Sequence, residues 1–230
     1  MISHAHKTLF VHIPKCGGQS IENMFLSDLG LGRKDKSRLL LRKRRGDERG
    51  PAKLGHLTAS DYIRLGFIDH NSFDSYYRFS VVRNPFDRLR SAYNYLGFRE
   101  LITFSCFVEQ VVVEALENRN SLHWFLRPQT DFLLDAEGFL LVNQYFKLEE
   151  MSASIDQIIE RSRLSVRELP HSNNSSAISR ASRFMRALKL LLKEKISLTE
   201  VLKKDELGCD IKLRARIELL YRKDYEQFGY

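Results

Sequence analysis

Short apolar runs alternate along the chain with stretches in which apolar residues recur every three or four positions. Residues 7–13 (KTLFVHI) form a β-branched and aromatic run that stops at Pro14, which predicts a buried strand. Gly17 and Gly18 follow, and residues 20–29 then place Ile21, Met24, Phe25 and Leu29 at helical spacing. Residues 30–54 read as a basic, irregular connection, and 58–66 as a short helix stopped by Gly66. A second strand is predicted at 77–82 (YRFSVV), ended by Arg83-Asn84-Pro85, with Phe86, Leu89, Tyr93 and Leu96 on the face of the next helix. A helix over 103–117 comes next. The runs 132–134 and 139–142, separated by Asp135 to Gly138, predict a hairpin or strand pair. Helices are predicted over 149–161, 181–195 and 211–227. Alternating strands and helices argue an α/β layer with a mostly parallel sheet.

With 230 residues, 43% of them apolar and 29% charged, the chain has the makings of a packed core in a single domain spanning 1–230. No apolar run approaches the ~20 residues of a membrane span, and the N-terminus enters the first strand without a signal-peptide pattern. Cys16, Cys106 and Cys209 are widely spaced and outside any CxxC, which argues against a disulfide framework or a zinc site. A soluble, reduced, cytoplasmic protein is the expectation.

Charge alters this picture through its distribution. The formal net charge is +8, but residues 33–45 alone carry +7 and residues 178–204 carry +6, leaving −5 for everything else. The body is slightly acidic and bears two basic segments. Solvated surface loops account for such segments, and so does an anionic partner.

Two motifs carry chemistry. In His12-Ile-Pro-Lys-Cys-Gly-Gly-Gln-Ser20 a glycine turn joins a strand to a helix, which presents backbone N–H groups to a phosphate or sulfate. Lys15 adds a point charge, and Gln19 or Ser20 can donate from the first helical turn. A Walker loop has its lysine after the glycines, whereas Lys15 precedes Gly17 and Gly18. In Arg83-Asn-Pro-Phe-Asp-Arg-Leu-Arg-Ser91 the arginine stands at a strand end, where its planar fork suits a phosphate, and Ser91 follows two helical turns on. A Walker NTPase would end that strand in an acidic Mg²⁺ ligand. Singly, each residue has an ordinary structural explanation: a turn lysine, an ion-paired arginine, a surface serine.

Together the motifs resemble the carbohydrate branch of the sulfotransferases that use 3′-phosphoadenosine-5′-phosphosulfate (PAPS), including the uronyl 2-O-sulfotransferases of heparan sulfate and their bacterial relatives. His12 to Ser20 is similar to that branch's HIPKTGGTS loop, with Cys16 and Gln19 as departures. Arg83, Pro85, Arg88, Ser91 and Tyr93 match RxPxxRxxSxY. Gly55-His56 resembles its GH segment, residues 125–131 (FLRPQTD) its RPQ segment and residues 169–174 (LPHSNN) its LPHxN segment; residues 219–230 resemble its closing helix. The likeness spans the chain except 176–210, a basic helical insert or divergent region.

The resemblance implies a P-loop-like three-layer α/β fold, with a central mostly parallel sheet flanked by helices. It implies sulfuryl transfer from PAPS to an acceptor hydroxyl, with release of 3′,5′-ADP. Lys15, with Cys16, Gly17, Gly18, Gln19 and Ser20, would hold the phosphosulfate end and stabilise the leaving group. Arg83 and Ser91 would fix the 3′-phosphate. The lysine and the helix end supply the positive field, so no metal is expected. His56 is the candidate general base; a loop histidine capping the next helix would look the same in sequence. His12 reads as structural, His123 and His171 as secondary candidates, and Arg127 and Gln129 as acceptor-binding or site-shaping. Cys16, a thiol at a helix N-terminus beside Lys15, is expected to have a lowered pKa and to be sensitive to alkylation. The acceptor implied is a carbohydrate or glycolipid, with a polyanionic glycan favoured by the 33–45 segment. Competing readings are a phosphotransferase with a degenerate phosphate loop and a basic nucleic-acid binder; the basic segments lack the interleaved aromatics that stack on bases.

Overall fold

The structure is a computed structural model that describes residues 1–166, 179–196 and 210–230. Its residues group into two compact units, one formed by 1–83 and 129–172 and the other by 84–128 and 173–230. The expected LPHxN segment with His171 lies outside the described residues, as do residues 178 and 197–204 of the second basic segment.

The first unit is built on a four-stranded sheet ordered β1 (Ile2–Ser3), β2 (Thr8–Val11), β3 (Tyr77–Val82) and β4 (Gln144–Lys147). β1 runs antiparallel to β2, whereas β2–β3 and β3–β4 are parallel. All four residues of β2 and the last four of β3 are buried, as a parallel sheet covered by helices requires. Ser80 sits in this apolar surface because its hydroxyl donates to the Val11 carbonyl at 2.7 Å. β2 and β3 are adjacent and parallel, in register at Val11 and Ser80, so the loops that follow them leave from the same edge of the sheet. Helix α1 (Gly18–Asp28) buries Ile21, Met24, Phe25 and Leu26, α2 (Ala59–Arg64) begins at Thr58, whose hydroxyl accepts from the Asp61 amide, and α3 (His70–Ser75) begins at Asp69, whose carboxylate accepts from the Ser72 amide. The fold is α/β and P-loop-like: a mostly parallel sheet flanked by helices, with a glycine turn between the first long strand and α1.

Two local predictions change within this unit. Residues 132–134 do not form a strand: Thr130–Leu133 is a helical turn, and the expected hairpin reduces to a bridge between Leu134 and Leu140. The strand that completes the sheet lies further on, at Gln144–Lys147. The connection over 30–54 is more ordered than expected. It holds a 3₁₀ segment, Arg33–Leu39, and a Lys43–Lys53 bridge, and Arg42 pairs with Glu48 at 2.6 Å.

The second unit is helical. Its first helix, α4 (Pro85–Leu96), has proline at its first position, where no N–H is needed, and Asn84 as its cap. Phe104–Cys106 runs through a π-helical stretch, Phe107–Val112, into Val113–Glu117. These helices enclose a core that includes Phe86, Leu89, Phe107, Val111, Leu126, Leu191 and Ile217. Gly97 allows the helix Arg180–Lys193 to approach: a Cβ there would lie 2.1 Å from the Arg183 carbonyl oxygen. The expected helix over 211–227 is two, Asp210–Leu220 and Arg222–Phe228, broken at Tyr221, whose hydroxyl donates to the Leu126 carbonyl at 2.6 Å. Among the described residues no helix is long and apolar enough to cross a membrane.

Candidate functional site

The turn after β2 is held in a conformation that few residues adopt. Lys15 has φ 70° and Gly17 φ 79°, both in the left-handed region. Glycine tolerates this freely; lysine does so at a cost of order 1 kcal/mol. The first amides of an α-helix have no intrahelical acceptor, and here they belong to Gly18 and Gln19, while the Ser20 amide bonds back to the Gly17 carbonyl at 3.1 Å. Gly18 is required for space rather than for its φ. A Cβ there would lie 2.2 Å from Cδ2 and 2.4 Å from Nε2 of His12, in collision with the imidazole ring.

That ring cannot easily move aside. His12 is buried and donates from Nδ1 to Oε1 of Glu22 at 2.5 Å. Burial pushes the Glu22 carboxyl up, but the charge and hydrogen bond of His12 outweigh it, and the pKa lies below the usual carboxylate range. We expect Gly18→Ala to lower stability by roughly 1–3 kcal/mol through overpacking, read as a shift in the urea midpoint. An unchanged midpoint would mean that the His12 ring yields.

His56 ends the short 3₁₀ segment Leu54–His56. Its Nδ1–H donates to the His12 carbonyl at 3.0 Å, which fixes the tautomer and leaves the lone pair on Nε2. The two imidazole rings lie 4.5 Å apart. Burial, then the proximity of His12, pushes the His56 pKa down to about 3, so the ring is neutral at physiological pH. Thr58, not His56, caps α2.

Arg83 follows β3, and its Nη1 reaches the Lys15 carbonyl at 3.5 Å. Burial lowers the Lys15 pKa first, and the like charge of Arg83 lowers it further. The structure thus brings Lys15, Cys16, Arg83 and the start of α1 to one edge of the sheet, with His12 between Gly18 and His56. Ser91 is half-buried on α4, in the second unit. Arg88 of the same motif is only 2% exposed and donates to the carbonyls of Phe125 and Arg127 at 3.0 and 2.9 Å. It belongs to that unit's core.

Cys16 departs from expectation. Cys16 is 1% exposed and its thiol donates to Oε1 of Gln129 at 3.2 Å, so a reagent in solvent does not reach it in the folded chain. The sequence reads His12 as structural but does not reveal Glu22, the partner that holds its ring. The one available signal was an acid at a position of α1 flanked by Ile21, Phe25 and Leu26.

Comparison with curated proteins gives no match, and comparison with solved structures gives none either. The model of the Sulfotransferase family matches residues 1–230. A phosphate-type glycine turn at the edge of a parallel sheet, with two cations drawn together beside it, is in keeping with that match, and the chain belongs to the Sulfotransferase family.

Proposed function

We propose that this sulfotransferase takes its sulfuryl group from PAPS and transfers it to a hydroxyl of a carbohydrate acceptor. The observation that carries the reading is the convergence of Lys15 and Arg83 at the N-terminus of α1, close enough for Arg83 to depress the lysine's pKa. Two like charges gain by sharing an anion, and a donor with phosphates at its 3′ and 5′ positions offers charge to both.

When bound, PAPS supplies an activated sulfuryl group on a phosphate leaving group. Lys15 and the amides of Gly17, Gly18 and Gln19 stabilise negative charge where the leaving phosphate develops it. Arg83 orients the nucleotide from its 3′ side. His56, held neutral with its lone pair on Nε2, accepts the proton of the acceptor hydroxyl. The 33–45 segment favours an acceptor that already carries carboxylates or sulfates, although Glu48 offsets part of its charge at Arg42.

The test is to incubate the protein with sulfur-labelled PAPS and a panel of neutral and acidic polysaccharides, then locate the label. Transfer to a sugar hydroxyl is expected, strongest on acidic chains. Tight nucleotide binding without transfer to any glycan would overturn the acceptor class; no binding of 3′,5′-ADP would overturn the donor.

A further inference from the structure

Gln129 is 0% exposed, and its amide is turned inward onto the chain itself. Its Oε1 accepts from the Arg83 amide at 2.9 Å, and its Nε2 donates to the Arg83 carbonyl at 2.8 Å. A side-chain amide therefore pairs with one residue in both directions, as a neighbouring strand would. β3 pairs with β4 as far as Val82 and Lys147, so Gln129 takes up the pairing one residue beyond the ladder's end. The same Oε1 accepts from the Cys16 thiol at 3.2 Å. One buried side chain thus ties the backbone of Arg83 to the residue next to Lys15. The direct link between these two loops, Arg83 Nη1 to the Lys15 carbonyl, is 3.5 Å and at the outer limit of a hydrogen bond.

We propose that Gln129 is a positioning residue that fixes the spacing of Lys15 and Arg83, and thereby the preference of the site for an adenosine phosphorylated at both the 3′ and 5′ positions over one phosphorylated at the 5′ position alone. This assignment rests on the donor reading above. A lysine and an arginine on separately tethered loops would still attract phosphate, but only a fixed spacing discriminates two phosphates from one. It also gives the thiol of Cys16 a purpose: position 16 supplies a donor to Gln129 rather than a group to the nucleotide.

The test is calorimetric titration with 3′,5′-ADP and with 5′-AMP, run without any turnover, alongside thermal unfolding. Wild type is expected to prefer 3′,5′-ADP. Gln129→Met, similar in shape but without the amide, should lose about tenfold of that preference through weaker 3′,5′-ADP binding. Its affinity for 5′-AMP should stay within about threefold. Cys16→Ser keeps a donor and should retain most of the preference, whereas Cys16→Val should lose about threefold. Cys16→Val carries the test if Gln129→Met does not fold, because it leaves the Arg83 pairing in place; an unchanged ratio in it then overturns the assignment. A preference that survives in folded Gln129→Met, or an equal loss for both nucleotides in step with a lower melting temperature, also overturns it. No preference in wild type overturns the donor reading, and this assignment falls with it.

Discussion

Replacing His56 with alanine is expected to lower turnover by roughly 10²–10⁴-fold, the usual contribution of a positioned general base. The affinity for 3′,5′-ADP should stay as it was. The His12 carbonyl holds the Nδ1 proton of His56, so the ring can accept a proton at Nε2 without changing tautomer. Its pKa of about 3 means that the neutral, competent form is present throughout the physiological range. The same burial makes the ring a weak base, so in the proposed reaction it would take the proton late, once the acceptor oxygen has begun to bond and become acidic. His56 should therefore put no acid limb near pH 6.5 on kcat/KM of the free enzyme. Stability gives a second readout. The folded pKa lies below the unfolded value of 6.5, so the unfolded chain takes up the proton first, and stability falls as pH drops from 6.5 toward 3. Glu22, also depressed, adds a loss of the same sign below its ordinary value of 4.5. His56→Asn should reduce the loss across the whole window from pH 6.5 to 3, leaving below 4.5 the part that Glu22 contributes. Turnover within about threefold of wild type in His56→Ala, with intact nucleotide binding, would remove His56 from the chemistry.

What could be read from the sequence follows from how local each signal is. The strand Tyr77–Val82 and the proline start of α4 are set by neighbouring residues, and both were legible. So was the glycine turn, because strand, turn and helix follow one another directly. The strand Gln144–Lys147 was not, since only Phe146 of its four residues is buried and it shows no clean alternation. The run at 132–134 misled for the opposite reason. A short buried apolar segment reads alike as strand or helix, and Phe132 and Leu133, both fully buried, lie in a helical turn. Within the site, Lys15, His56 and Arg83 stood out because their chemistry depends on their own residue types. Cys16 and Gln129 depend on partners distant in sequence, and Glu22 on a histidine across the turn. Nothing near residue 129 says that its amide meets Arg83, and nothing near Cys16 says that its thiol is covered.

Lys15 permits a prediction in which stability and activity move in opposite directions. Its φ of 70° suits glycine, and its ammonium is partly desolvated beside the like charge of Arg83. On stability alone, lysine is a poor choice there. Lys15→Gly should relieve the backbone strain and raise stability by about 1 kcal/mol, while lowering turnover by roughly 10²–10³-fold through loss of charge at the leaving group. Lys15→Ala removes the same charge but keeps a Cβ in the left-handed region. It should lose as much turnover with less gain in stability, so the difference between the two variants isolates the strain. Lys15→Arg keeps the charge but replaces a compact ammonium with a broader fork, and should recover only part of the rate. Urea unfolding and single-turnover kinetics on the three variants make the comparison. If Lys15→Gly were less stable than wild type, the left-handed turn would owe its shape to contacts of the lysine side chain. If it kept full turnover, the charge at position 15 would have no part in sulfuryl transfer. The expected pairing, a more stable protein that no longer turns over, means that the loop holds its lysine for chemistry at the expense of the fold.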